Sequence, residues 1–196
     1  MTAEENQSAP RRPQARKAPR QITERYLENA ALHYLKRFSS TLKQLERVLL
    51  RKMDRSLKFH GGDRPQALGW LAEVLAKLVR NGLVDDRAYA ETKAHAMRAA
   101  GQSTRVMTMK LKLKGVADDV VQAKVRLATA EVSEVEAART WARKKRLGPY
   151  RRDPSTRAEK RQKDLASLAR AGFPFSIAKQ VLDSTDSLGD FPGPGQ

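Results

Sequence analysis

The sequence predicts an all-α protein: tandem three-helix repeats, about nine helices, form an elongated and curved array with disordered termini. Two observations lead to this prediction. From about Ile22 to Asp183, apolar residues recur almost throughout with the 3.6-residue period of an α-helix. The helices also fall into three parts of similar plan. A three-helix unit of this size is too small to bury its apolar face alone, so stacked repeats are expected.

The first repeat is predicted over residues 22–82, with helices at about 24–40, 41–58 and 65–81. Thr41 precedes Gln44 by three residues, which is the spacing of a capping box. Pro65 suits a first helical position, and Gly82 suits the position just after a helix. The apolar stripe of the third helix is formed by Leu68, Leu71, Val74, Leu75, Leu78 and Val79, with Trp70 at its edge.

The second repeat is predicted over residues 83–132, with helices at about 85–100, 103–114 and 117–130. Carboxylates open two of them, at Asp85-Asp86 and Asp118-Asp119, where the positive end of the helix dipole favours negative charge. The segment MTMKLKLK (107–114) alternates strictly, as a strand would. We predict a helix there, because Met, Leu and Lys are good helix formers and no second clear strand is available for pairing.

Within that middle helix, the pattern predicts a buried stripe of Val106, Met109 and Leu113. Arg105 and Lys112 then lie on the opposite face, and the flanks carry Lys110 and Lys114.

The third repeat is predicted over residues 133–183, with helices at about 134–147, 155–171 and 174–183. Ser133 with Glu136, and Thr156 with Glu159, have capping-box spacing. The segment LARAGF (168–173) echoes LKLKGV (111–116), which supports the repeat. Outside the repeats, we predict a disordered basic arm over 1–21 and a flexible tail over 184–196.

Composition limits the classes of function. Lys and Arg number 39 against 22 Asp and Glu, a net charge of +17, and there is no cysteine. Disulfide scaffolds and cysteine-ligated metal sites are therefore excluded. The chain has no secretory signal pattern and no apolar run long enough to cross a membrane, so we expect a cytoplasmic protein. The positive electrostatic field of the chain attracts nucleic acid, acidic membrane surfaces or acidic protein surfaces, and the net charge alone does not distinguish these partners.

No catalytic constellation is apparent, so we expect a protein that is not an enzyme and needs no cofactor or metal. His33, His60 and His95 lack metal-ligand spacing, and the paired aspartates are best interpreted as helix caps. Gly61-Gly62 is not part of a phosphate-binding loop motif.

Basic side chains are the candidate functional residues. Eleven of them lie between Arg139 and Lys163, against only Asp153 and Glu159. Trp141 and Tyr150 lie in the same run, where they either stack on bases or pack internally. The candidate partner- or DNA-binding residues are Arg98, Arg105, Lys110, Lys112, Lys114, Arg143, Lys144, Arg146, Arg151, Arg152, Arg157, Lys160 and Arg161.

Three short motifs, in order, resemble the signature of the RecX family. They are DDRAYA (85–90), a glycine at Gly101 followed by Arg105, and LKLKGV (111–116). YLKRFSSTLKQLERVL (34–49 within the first repeat) and RAGFPFSIAKQVL (170–182) are similar to the family's first and last repeats. The resemblance covers about residues 26–183. One departure is Gln102-Ser103, where the family commonly has a second glycine; Ser103 is expected to cap the next helix instead.

The resemblance implies a bacterial regulator that binds the RecA filament, blocks strand exchange and ATP hydrolysis, and promotes filament loss. It also implies tandem three-helix repeats and, in some members, DNA binding. We therefore expect a monomeric negative regulator of RecA in DNA repair and recombination. The alternative is a general basic nucleic-acid-binding protein without a recombinase partner.

Overall fold

The computed structural model describes residues 18–184, and within that range the chain is helical with no strand. It contains two short 3-10 turns, Gly148–Tyr150 and Pro154–Thr156, between the seventh and eighth helices. The helices are α1 (Glu24–Leu35), α2 (Leu42–His60), α3 (Arg64–Arg80), α4 (Asp86–Ala99), α5 (Thr104–Leu113), α6 (Asp118–Glu131), α7 (Glu134–Lys145), α8 (Arg157–Arg170) and α9 (Phe175–Asp183). The predicted all-α fold is confirmed, including the helix over the alternating segment.

Three separate apolar clusters form the core, and each is built by three consecutive helices. Leu45, Leu49 and Met53 recur every four residues on α2 and are fully buried in the first cluster, between α1 and α3. The second cluster contains Met107 of α5, and the third contains Leu168 of α8. Each fully buried side chain of this size contributes about 1.5–3 kcal/mol relative to an exposed one. We call these helix groups the first, second and third groups.

Hydroxyl and carboxylate caps start several helices. Ser133 and Glu136 form the predicted capping box completely. Thr41 accepts from the Gln44 backbone N–H at 3.1 Å, but the Gln44 side chain donates to the Tyr34 hydroxyl instead of closing the box.

The box predicted at Thr156 is wrong. Thr156 has helical backbone angles and makes no side-chain cap, because it is the last residue of the 3-10 turn that continues directly into α8. Asp118 and Asp119 lie in the first turn of α6 as predicted, although Ala117 is the N-cap and gives no side-chain cap.

The first and second groups meet at a contact that we call the first joint. The Thr41 hydroxyl, at the N-cap of α2, donates to the carbonyl of Lys114, the C-cap of α5, at 2.6 Å. The next backbone N–H, of Leu42, donates to the Asp86 carboxylate at 2.8 Å. Gly115 has a φ of 86°, and a Cβ there would lie 2.4 Å from the Lys43 Cβ, so the glycine permits the close approach.

The second and third groups meet through the same pattern, which we call the second joint. The Ser103 hydroxyl, at the N-cap of α5, donates to the carbonyl of Ala171, the C-cap of α8, at 2.7 Å. The Thr104 N–H donates to the Glu134 carboxylate at 3.2 Å, and Gly172 allows the close approach to Ser103. At both joints, backbone groups at the ends of helices form hydrogen bonds with polar atoms of the next group. Because hydrogen bonds are directional, these contacts constrain how neighbouring groups are oriented.

Candidate partner-binding surface

The outer face of α5 is both basic and apolar. Met109 is 51% exposed and Leu113 is 66% exposed. Arg105 and Lys112 are exposed on the same side of the helix. Large apolar side chains held in solvent beside cations are typical of surfaces that contact another protein.

The predicted buried stripe of Val106, Met109 and Leu113 is therefore wrong. Met107 and Leu111 are buried instead, four residues apart and continuous with buried Ser103. The strict alternation of the segment offers two apolar stripes on one helix, and the stripe of Met107 and Leu111 is the one that packs in the second cluster, with residues of α4 and α6. Exposed Met109 and Leu113 were thus missed as surface residues; the alternating pattern was the signal, since it gives a helix more apolar residues than one buried face can use.

The lysines at the C-terminal end of α5 differ in their side-chain partners. Lys110 donates to the Gln102 side chain at 2.9 Å, and Lys112 pairs with Asp118 at 2.8 Å. Lys114 is exposed, and its side chain makes no ion pair or hydrogen bond within residues 18–184.

Arg98 is not a surface contact, contrary to the prediction. Its side chain is 1% exposed and belongs to the second joint. Its guanidinium donates to the carbonyls of Val132 at 2.7 Å and Gln102 at 3.1 Å, and pairs with Glu134 at 2.8 Å. A buried arginine needs this set of acceptors because an unpaired charge there is costly.

The basic run of the third group divides into internal and outward residues. Arg151 forms a two-pronged pair with the buried Asp164, at 2.9 and 2.6 Å, and this hydrogen bonding raises the pKa of Arg151 above its usual range. Asp164 also accepts from the Gly148 N–H at 2.8 Å. Arg157 donates to the Pro149 carbonyl at 2.8 Å. Arg151 and Arg157 therefore fasten the loop before α8.

Other cations of this run are tied at the surface. Lys144 donates to the Ala100 carbonyl at 2.8 Å, so it connects α7 to the end of α4. Lys160 pairs with Glu159, and Arg161 pairs with Asp183 at 2.8 Å. Exposed ion pairs of this kind are weak, typically below about 1 kcal/mol, so a polyanion can compete for their cations.

Arg146 and Arg152 point outward on either side of the first 3-10 turn. Both are exposed, and neither side chain has an ion pair or hydrogen bond in the part of the chain that the structure describes. Arg146 ends α7 with a φ of 55°. Of the predicted residues, Arg105, Lys114, Arg146 and Arg152 are exposed and make no side-chain ion pair or hydrogen bond within residues 18–184, and Lys112 is exposed with the exposed Asp118 as its partner.

The two aromatic residues of the run pack internally. Tyr150 is buried, and the Arg143 guanidinium lies 5.3 Å from its ring centroid. Trp141 packs half-buried against the third cluster, with the Lys145 ammonium 5.5 Å from its ring. Tyr150 is thus unavailable for stacking on a base, and packing is the correct alternative for it.

Other kinds of site can be assessed within the same range. Between residues 18 and 184 there is no group of three or more His, Asp or Glu side chains that could hold a metal ion. In that range, no helix combines the length and apolar character that crossing a bilayer requires.

Comparisons with known proteins give one family. The model of the second three-helix domain of RecX matches residues 85–124, from the N-cap of α4 into α6. A regulatory protein RecX of Myxococcus xanthus (strain DK1622) is 64% identical over 168 residues, covering 86% of this chain and 90% of the relative. Another, of Agrobacterium fabrum (strain C58), is 35% identical over 174 residues, covering 85% and 90%.

Solved structures show the same fold. The crystal structure of RecX from Lactobacillus salivarius matches with a TM-score of 0.58 at 28% identity, covering 81% of this chain and 94% of that one. A further crystal structure of a regulatory protein RecX matches with a TM-score of 0.59 at 22% identity, covering 82% and 72%, and supports the fold alone.

Proposed function

The chain belongs to the RecX family of regulatory proteins, and from this premise we propose that it is a negative regulator of the RecA recombinase. It binds the RecA–DNA filament, inhibits strand exchange and ATP hydrolysis, and so regulates DNA repair and recombination. In this proposal it acts by binding, as a monomer in the cytoplasm, without a cofactor and without catalysis of its own.

The observation that carries the proposal is the outer face of α5. Met109 and Leu113 place apolar area in solvent on the second group, beside Arg105 and Lys112. DNA phosphates attract cations, but they form no favourable contact with exposed methionine and leucine side chains. A protein partner with an acidic rim and an apolar centre uses both, which favours the recombinase over bare DNA as the main partner.

The two joints support a mechanism by which binding would become inhibition. They fix three groups in order along the chain, so contacts made by different groups are held at set distances. A ligand whose contacts fit one arrangement of adjacent filament subunits better than another shifts the population toward that arrangement. Binding across subunits in an inactive arrangement therefore suffices to slow ATP hydrolysis and favour filament loss.

Arg146 and Arg152 are the proposed contacts of the third group. Both lack an internal side-chain partner within residues 18–184, and both are far along the chain from α5. Together with Lys114 they are suited to the acidic recombinase surface or to phosphates exposed along the filament.

The test uses preformed RecA filaments on single-stranded DNA, with ATP hydrolysis as the readout. The unmodified protein should inhibit at less than one molecule per recombinase. The double variant Met109→Ser/Leu113→Ser should need about tenfold more protein for half-inhibition, since a loss of about 1.4 kcal/mol is expected from a central apolar contact. Leu127→Ser, at the 50% exposed residue of neighbouring α6, is the matched control and should inhibit normally.

The same experiment separates the alternative, a general nucleic-acid-binding protein. That protein would leave ATP hydrolysis unchanged at every ratio up to one per recombinase. Its affinity for bare DNA would instead fall by several decades between about 50 and 200 mM salt, if about 6–10 phosphates were contacted.

A further inference from the structure

A groove on the first group, remote in sequence from the α5 face, has the composition of a stacking site. It lies between residues 18–20, α1 and α2, and has a volume of about 530 Å³. Aromatic rings and cations share its lining, and none of its lining residues is acidic. The side chains that matter are Arg20, Tyr26, Tyr34, Arg37, Phe38 and Lys52.

One aromatic ring of the groove, that of Phe38, is exposed to solvent. Phe38, just after α1, is 49% exposed. Its ring centroid lies 5.1 Å from that of Tyr34, at an interplanar angle of 39°. The Tyr34 hydroxyl accepts from the Gln44 side chain at 3.2 Å, which fixes the tyrosine ring against α2. The pair is therefore a preformed platform.

The cations of the groove have no internal counter-charge. Arg20, Arg37 and Lys52 are exposed, and none of them forms an ion pair within residues 18–184. The Arg37 guanidinium lies 5.5 Å from the Phe38 ring centroid, so charge and platform are adjacent. Such a field, without any lining carboxylate, selects an anionic ligand.

The wall formed by residues 18–20 is fastened in place. The Pro19 carbonyl accepts from the His60 ring at 2.7 Å, and the Arg20 carbonyl accepts from the Ser56 hydroxyl at 2.8 Å. Ile22 is buried just beyond them. The groove is therefore part of the folded first group.

We propose that this groove binds single-stranded nucleic acid, with one base stacked on Phe38 and the neighbouring phosphates held by Arg20, Arg37 and Lys52. A base and its flanking phosphates use the rings and the cations together. Duplex DNA hides its base faces, and an acidic peptide would engage the cations without needing the exposed platform. The site lies outside the surface proposed to contact the recombinase, and the two proposals stand on different residues.

The test measures direct binding of a fluorescently labelled oligothymidylate in the absence of recombinase. Phe38→Ala should weaken binding roughly 5- to 150-fold, which corresponds to about 1–3 kcal/mol for one stacked base. Phe38→Trp should retain binding, and this second variant guards against loss of folding. Phe175→Ala, at an exposed phenylalanine of α9, is the matched control and should bind like the unmodified protein.

Salt separates stacking from charge. Arg37→Gln should reduce the slope of log affinity against log salt by about 0.7, the value for one phosphate on a single strand, whereas Phe38→Ala should leave the slope unchanged. Equal affinity for duplex and single strand, or unchanged affinity in Phe38→Ala, would overturn the proposal. The proposal would also be overturned if polyglutamate displaced the oligonucleotide equally well from the unmodified protein and from Phe38→Ala. Because no recombinase is present, none of these failures bears on the regulation of RecA.

Discussion

Replacement of Arg98 by methionine should destabilise the protein strongly, because its side chain is buried at the second joint. Methionine has a similar length and keeps the apolar part of the packing. It removes the donors to the Val132 and Gln102 carbonyls and the cation that faces Glu134. The Glu134 carboxylate would then be left at the second joint with only the N–H and hydroxyl of Thr104 as donors.

The size of the effect follows from burial. Removing one member of a buried ion pair typically costs about 3–5 kcal/mol, because the other charge is left without compensation. Arg98 is 1% exposed but Glu134 is 20% exposed, so water reaches part of the carboxylate. We therefore expect a loss of about 3 kcal/mol in the free energy of unfolding. For a chain of this length, that corresponds to a Tm lower by roughly 6–12 °C.

Urea unfolding followed by circular dichroism measures the change. The matched control is Arg87→Met, an exposed arginine on the same helix, whose effect should stay within about 0.5 kcal/mol. The double variant Arg98→Met/Glu134→Met should lose less than the sum of the two single losses, since it leaves no unpaired charge. A loss in Arg98→Met no larger than in Arg87→Met would refute the assignment of Arg98 to the joint.

Two further predictions concern the first joint and the response to pH. Gly115→Ala should lower the free energy of unfolding by about 1–3 kcal/mol, because alanine is strained at a positive φ and its Cβ would collide with Lys43. Gly69→Ala, inside α3 with open space around it, is the control and should raise the free energy of unfolding by about 1 kcal/mol. Chemical unfolding measures both changes. The pKa of Glu136 is held below its usual range, first by the backbone N–H and then by the hydroxyl of Ser133. Its contribution to stability is therefore present above the ordinary glutamate pKa and is lost as pH falls through the lowered one, so Glu136→Gln should flatten the acid limb of a Tm-against-pH curve, and an unchanged acid limb would contradict this.

The helices could be predicted from the sequence because their causes are local. Capping residues such as Ser133, and apolar residues at helical spacing, act within one or two turns. The same local evidence was insufficient for α5, where two apolar stripes compete. Packing in the second cluster decides between them, because Met107 and Leu111 meet residues of α4 and α6 that lie outside their own helix.

The candidate site could be predicted only in outline. Positive charge is visible in the sequence, but its use depends on carboxylates and carbonyls brought together by folding. Arg98 meets Glu134 and Val132 more than thirty residues away, and Arg151 meets Asp164 across the loop before α8. Nothing in a run of basic letters distinguishes these internal partners from the outward Arg152.

The loop before α8 explains why Arg151 and Arg157 have internal partners. At both joints, a hydroxyl at the start of the middle helix donates to a carbonyl of the following group. At the start of α8, the Thr156 hydroxyl donates instead to the carbonyl of Asp153, whose carboxylate accepts from Ser155. Arg151 and Arg157 fasten this loop from within. The start of α8 is therefore held by hydrogen bonds within its own group. Part of the basic run therefore has an internal role, and Arg146 and Arg152 stay the proposed partner contacts of the third group.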